Sequence, residues 1–374
     1  MKIDLISSAL PPALDGIGDY TAHLAAQLAA SVQVKVLTGR AHPWDALPGV
    51  EVVSAFDSKC PATFSALATR LAADPPDWVL LQYNPFSYGR WGLNLRLPQV
   101  LRSVRRGGFG TKFALMVHEP FVPVLDWKHA AMTTWQRWQL WQLGRSADVI
   151  FFSIEPWAYK SGRWFPGQPV RCLPVGSNIP FVPTDRAAAR AALEIDAETV
   201  VLGFFGTAHN SRLLPWVRGA AQAAAAGGRK TLVLYVGPDR EVMCRVLAGL
   251  PVRAEGALPG AEVSRRFAAM DIHLSPFVDG ISTRRGSFLA GLQHGLATVG
   301  THGYNTDAAL RAQDGRAFLL TDARSPEAFD SEVLRLADDP TLRARLGAEA
   351  QSLYASRFAW DKIASTLLDT LQNH

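Results

Sequence analysis

Cysteine is scarce in this chain and follows no pattern. Cys60, Cys172 and Cys244 are far apart, odd in number and without a CxxC pair, which excludes a disulfide scaffold and suits buried thiols in a reducing compartment. Runs of lysine and arginine are absent. The densest cluster, Arg102, Arg105 and Arg106, reads as a solvated helix end, so no nucleic-acid partner is expected. No uninterrupted apolar stretch approaches the roughly 20 residues that span a bilayer. There is no Asp-x-Asp to hold a metal–diphosphate complex, and no Gly-x-Ser-x-Gly elbow, HExxH helix or Walker A loop. Asp4 lies inside what would be the apolar region of a leader, so Met1–Ile6 reads as a first strand. A cytoplasmic protein is expected, peripheral at most at the inner face of a membrane.

What is present is a globular composition on a two-domain length. The 374 residues are 48% apolar and 19% charged, with 30 glycines and 24 prolines spread along the chain and a net charge of +5. The mild basicity suits an anionic ligand or surface without specifying either. Apolar β-rich runs at Lys2–Ser7, Val32–Thr38, Val50–Ala55, Trp78–Gln82, Lys112–Val117, Val149–Ser153 and Val170–Leu173 alternate with helical stretches such as Tyr20–Ala30 and Ala130–Gly144. Nearly continuous apolarity predicts parallel strands with helices over both faces. The pattern restarts at Val200–Phe205, Thr231–Val236, Ile272–Pro276, Ala297–Gly300 and Ala317–Leu320, beyond a proline-rich join at Pro174–Pro183 that suits a hinge. Apolar spacing over Ser352–Gln372 predicts a terminal helix. Two Rossmann-like, doubly wound α/β domains are therefore expected. Such pairs serve glycosyltransferases, epimerases, dehydrogenases and binding proteins alike.

Four segments carry candidate chemistry. Asp15-Gly16-Ile17-Gly18-Asp19-Tyr20 follows the first strand and opens a helix, so Gly16 and Gly18 could bring backbone close to an anion. Thr21 replaces the third glycine of a dinucleotide fingerprint, and a tight turn is the alternative. His118-Glu119-Pro120 ends a strand on the side where open α/β sheets bind ligands. There His118 could hold a sugar hydroxyl and Glu119 orient it, the alternative being a histidine satisfied at the sheet edge. The richest segment runs from Ser275 to Ser287. Asp279, Gly280, Ile281, Ser282, Thr283, Arg284, Arg285, Gly286 and Ser287 combine hydroxyls, guanidinium groups and a helix start into a diphosphate cradle. Gly206, Thr207 and Arg212, after the first strand of the second half, either complete that site or only decorate a helix N-terminus.

On these segments the chain resembles the retaining GT-B glycosyltransferases of the family-4 type (glycosyl transferases group 1). The Gly16/Gly18 loop, His118, the Val175–Ile179 interdomain segment, Phe205-Gly206 through Arg212, Asp279 through Gly300 and Arg357-Phe358-Ala359-Trp360 each resemble a family feature. The match has departures. Asp279 stands nearest the first of the family's two donor-loop glutamates, and Ala290 replaces the second. Thr207 stands at the phosphate-loop arginine, with Ser211 or Arg212 at its lysine. Arg284 and Arg285 are expected to compensate. The resemblance implies an N-terminal acceptor domain (1–178), a C-terminal nucleotide-sugar domain (179–355) facing it across a cleft, and a last helix (356–374) crossing back.

It further implies transfer of a hexosyl-type unit from a nucleoside-diphosphate sugar to a hydroxyl, with retention and without metal or other cofactor. Arg284, Arg285 and Arg212 would meet the departing charge, His118 would position the sugar, and closure about Pro174–Pro183 would exclude water. The expected partners are a nucleotide-sugar donor and a carbohydrate or glycolipid acceptor. A GT-B epimerase and a noncatalytic sugar or nucleotide sensor are the alternatives. On the acceptor side, Asp19 and the loop residues Tyr83, Asn84, Tyr88 and Arg90 are candidate contacts, unless that loop is only a packed Ω-loop. Trp135, Trp138 and Trp141, with Trp127 just before, are expected to face the core; a membrane-interface face is the alternative.

Overall fold

The computed structural model describes every residue except Leu14, Arg40, Ala41, His42, Phe109 and Gly227. The chain divides into two compact units, Met1–Val175 with Trp360–His374, and Gly176–Ala359.

The first unit is built on seven strands, β1 (Lys2–Ser7), β2 (Gln33–Gly39), β3 (Val50–Phe56), β4 (Trp78–Tyr83), β5 (Lys112–Val117), β6 (Val149–Phe152) and β7 (Val170–Cys172). They pair in parallel in the order β3-β2-β1-β4-β5-β6-β7. Both faces are covered, which is why the strands read as continuously apolar. Ile3 and Leu5 of β1 enter one core, with the Gly16–Leu28 helix, while Ile6 enters the other, with Leu67 and Leu101 of helices Phe64–Ala73 and Arg96–Arg106. Strand order reverses between β1 and β4, so the carboxyl ends of β1, β4 and β5 flank a topological switch point.

The expected single helix over Ser352–Gln372 is two. Pro340–Arg357 ends where the Phe358 and Ala359 amides both bond the Tyr354 carbonyl, and Trp360–Gln372 then begins. Ile363, Ala364, Leu367 and Leu371 form its buried stripe within the core of the first unit, so the last helix does cross back. Cys60 and Cys244 are exposed rather than buried. Among the described residues no helix is long and apolar enough to cross a membrane.

The second unit has six parallel strands, β8 (Val200–Phe205), β9 (Thr231–Val236), β10 (Val252–Glu255), β11 (Ile272–Ser275), β12 (Ala297–His302) and β13 (Leu319–Asp322), in the order β10-β9-β8-β11-β12-β13. β10 was not expected from the sequence. It is a half-buried edge strand, and Arg253 and Glu255 interrupt its apolar pattern. The switch point here lies between β8 and β11, and the loops leaving both strands meet over it.

Candidate active site

In the second unit, those two loops are locked together by backbone. Leu213 donates to the Pro276 carbonyl, Val278 donates to the Ser211 carbonyl at 2.9 Å, and Arg212 and Phe277 form an antiparallel bridge. Glycine is obligatory at two points. Gly206 sits at φ +105°, and Gly280 at φ +85°, where a Cβ would lie 2.2 Å from Thr306 Oγ1 and 2.3 Å from the Gly303 nitrogen.

This framework gathers three arginines. The Arg212 and Arg285 guanidinium carbons lie 4.0 and 4.2 Å from the centre of the Phe277 ring. Arg285 donates to Asp279 Oδ1 at 2.7 Å and Arg284 to Asp279 Oδ2 at 2.9 Å. Burial would raise the Asp279 pKa, but Arg285, the Asn305 amide at 3.0 Å and Arg284 outweigh it and hold the carboxyl below its usual range. Arg212 is buried and pairs with no carboxylate among the described residues. Its Nη2 donates to Ser287 Oγ at 2.6 Å and to the Phe205 carbonyl at 3.0 Å, while Nη1 is buried without a partner. Burial, then the neighbouring Arg285, push its pKa down to about 9. Three guanidinium groups thus gather beside the first turn of the Gly286–Gln293 helix, whose leading amides have no intrahelical acceptor.

Several expected donor contacts are redirected. Asp279 is the counter-ion of Arg284 and Arg285. The Thr283 amide and hydroxyl both donate to buried Asp307, at 2.8 and 3.2 Å. Ile281 is fully buried, and its amide donates to the Thr301 carbonyl at 2.8 Å. Ser282 is buried with its Oγ unpartnered, Ser287 is half-buried on Arg212, and Thr207 is exposed. Phe277, the platform under two arginines, and Asn305 were missed. Nothing in their spacing marks them, since both act through the folded loop.

In the first unit, His118 lies just past β5 and is buried, and its Nε2–H donates to Gln82 Oε1 at 2.8 Å. Desolvation pushes its pKa down to about 3, so the ring is neutral and Nδ1 is an acceptor. Tyr20 meets it edge-on at 4.7 Å. Trp360 in turn packs edge-on against Tyr20 at 5.3 Å and stacks on His23 at 5.0 Å, so the last helix buttresses the His118 ring. Glu119 accepts from Asn84 Nδ2 at 3.1 Å, bringing the ends of β4 and β5 together. The signal for Gln82 was its place at the end of β4, beside β5.

Other first-unit expectations are corrected. Asp15 caps the Gly16–Leu28 helix, accepting from Ile17 at 2.9 Å and Gly18 at 2.7 Å. The Ile17 and Gly18 amides are therefore already held by a carboxylate. Gly18 is required for packing, because a Cβ would sit 3.0 Å from the Ala9 carbonyl oxygen. Tyr83 and Tyr88 are fully buried. The Tyr83 hydroxyl accepts from Gln139, and that of Tyr88 donates to the Ile6 and Gln82 carbonyls, so neither can touch an acceptor. Asp19 is half-buried in the first helical turn, and Arg90 is exposed with its guanidinium 5.0 Å from the Trp91 ring.

The tryptophan helix, Trp127–Gly144, is turned the other way from expectation. Its buried stripe is Thr133, Gln136, Gln139, Leu140 and Leu143, while Trp127, Trp138 and Trp141 are exposed and Trp135 is half-buried.

Two doubly wound parallel-sheet units, one with three arginines gathered at its switch point, define the class: this is the GT-B architecture. Solved structures agree over the whole chain. Sucrose-phosphate synthase from Thermosynechococcus elongatus matches 100% of this chain and 98% of its own at 17% identity with a TM-score of 0.76. WaaG, a glycosyltransferase involved in lipopolysaccharide biosynthesis, matches all of both chains at 14% and 0.70. Anabaena HepE in complex with UDP and glucose does so at 15% and 0.68. At these identities the likeness is one of fold. No protein-family model and no curated protein matches the sequence.

Proposed function

We propose that the chain is a retaining glycosyltransferase that moves a sugar from a nucleoside-diphosphate sugar to the hydroxyl of a carbohydrate or glycolipid. The observation that carries this reading is Arg212, a buried guanidinium with no carboxylate partner among the described residues and one unpartnered N–H edge, beside Arg285 and a helix N-terminus. Such a charge is costly unless an anion completes it. A diphosphate supplies negative groups where the Arg212 guanidinium edge has none and Arg285 stands beside it. The sugar–phosphate bond breaks as the acceptor oxygen bonds the same face of the anomeric carbon, and the acceptor proton passes to the departing phosphate oxygen. The arginines stabilise the charge that grows there, a task open to preorganised guanidinium groups without a metal ion. In the first unit, His118 is suited to accept a hydrogen bond at Nδ1 from a sugar hydroxyl, and Asn84, Glu119, Asp19 and Arg90 offer polar groups to an acceptor. HepE was solved with UDP and with UDP-glucose, which makes UDP the first donor nucleotide to try. The reading is of a cytoplasmic enzyme.

Titration calorimetry with UDP, GDP, ADP and TDP tests it. One diphosphate should bind, with the matching nucleoside far weaker and EDTA without effect. No binding by any of the four would overturn the reading. A bound donor should then be consumed only when an acceptor is added, which NMR of the anomeric proton follows.

A further inference from the structure

Nine of the fourteen large hydrophobic residues exposed among the described residues fall within 86–141. Phe86, Trp91, Leu93 and Leu95 lie on the segment after β4. Val124 and Leu125 lie on the one after β5, just before Trp127, Trp138 and Trp141 of the helix. The helix's buried polar stripe holds both segments beside it. Gln136 accepts from the Val122 amide at 2.9 Å, Gln139 accepts from the Asn94 amide at 2.7 Å, and Trp135 Nε1 donates to the Trp91 carbonyl at 3.0 Å. Gln136 and Gln139 are thus engaged inside, and the helix's exposed stripe recurs at 127, 131, 134, 138, 141 and 145, one face at helical spacing. Leu125 and Trp127 are each 76% exposed. Aromatic groups held outward in this way are unfavourable in water unless something covers them.

Charge selects the covering. From Trp78 to His118 the sequence contains no Asp or Glu, and the helix itself contains none. Cations sit beside the exposed rings, with Arg90, Lys128 and Arg145 at 5.0, 5.7 and 5.1 Å from the centres of Trp91, Trp127 and Trp141. The carboxylate of Asp126, amid the apolar residues, is engaged by the His129 amide and ring at 2.8 and 2.7 Å. Tryptophan interleaved with arginine and lysine around protruding leucine is the chemistry of a membrane–water interface with anionic headgroups. We propose that this face docks on an anionic lipid bilayer. Its loops leave the same strand ends that carry Asn84, His118 and Glu119. On the glycosyltransferase reading, on which this step rests, the acceptor is therefore an amphipathic, lipid-linked carbohydrate met at the bilayer surface.

The test is sedimentation of the full chain with phosphatidylcholine vesicles, with and without phosphatidylglycerol. Leu125→Glu/Trp127→Glu is compared with Tyr304→Glu, an exposed aromatic of the second unit. Binding should require the anionic lipid and weaken with salt. The double variant should lose it by about tenfold or more, and Tyr304→Glu should retain it. Unchanged circular dichroism and UDP titration certify folding. Equal vesicle binding by the double variant, or none by the wild type, overturns the proposal. So does a wild-type dimer that the double variant converts to a monomer without vesicle binding, which would make the face a contact between copies of this chain. Vesicle binding without any nucleotide binding would sink the donor reading alone, and the reverse result would sink this one alone.

Discussion

Replacing Arg212 with methionine should separate ligand binding from stability. The guanidinium lies over Phe277 at 4.0 Å, buried, with two bonds from Nη2 and none from Nη1. The drop from the ordinary arginine value to about 9 corresponds to roughly 5 kcal/mol of cost for the buried charge. Two hydrogen bonds from a charged donor return roughly 3 to 6 kcal/mol. Those terms nearly cancel, and methionine keeps apolar contact with the ring. Unfolding of the ligand-free variant should therefore lie within about 2 kcal/mol of wild type. Diphosphate binding should behave otherwise, because a buried charge pair that loses one member costs about 3 kcal/mol or more, on the order of a hundredfold in Kd. Calorimetry with UDP, together with urea unfolding with and without nucleotide, measures both. At a nucleotide concentration that gives wild type about 2.7 kcal/mol of added stability, the variant should gain almost none. An unchanged Kd, or a large loss of stability without ligand, would show Arg212 to be a structural strut and refute the reasoning.

Three further outcomes follow from the described contacts. His118 and His273 are both pushed down to about 3 by burial, so between pH 6.5 and 3 the unfolded chain binds more protons and stability falls on acidification. From pH 7 to 4.5 each should lose about 2 to 3 kcal/mol, partly offset by Asp4, whose pKa burial raises to about 6. The pH dependence of urea midpoints should flatten in His118→Gln and His273→Gln, and parallel curves would contradict it. Gly280→Ala should destabilise by about 2 kcal/mol or more and weaken nucleotide binding, since it requires a strained φ and a clash with Gly303; thermal unfolding and calorimetry check both. Trp360→Ala should lower stability by about 2 kcal/mol, seen by denaturation, and reduce kcat for any established donor–acceptor pair by loosening Tyr20 behind His118.

The strands were legible because parallel strands buried on both faces leave an unbroken apolar trace. β10 was not, because an edge strand with Arg253 and Glu255 leaves none. The tryptophan helix shows a subtler failure. Its period was readable, but its direction depended on Gln136 and Gln139 satisfying the backbone of two loops, information that lies in the loops' course and not in the helix. The same holds for Asp15 and Asp279. In the linear sequence Asp15 read only as part of a glycine-rich turn and Asp279 as part of a ligand cradle. One caps the helix beside it, and the other neutralises two arginines five and six residues away. Arg212 and Arg285 could be named from the sequence as cations near a helix start, but their convergence on Phe277 required the fold.

The first unit is assembled from both ends of its chain, with the second unit inserted between Val175 and Trp360. During synthesis, residues 1–175 emerge first yet lack the helix that buries Leu24 and Leu28 alongside Ile363, Leu367 and Leu371. Residues 176–359 are contiguous and can reach a finished core while their predecessor still waits. The order of maturation would then run against the order of translation. The apolar surface left open in the meantime is a natural client for a chaperone.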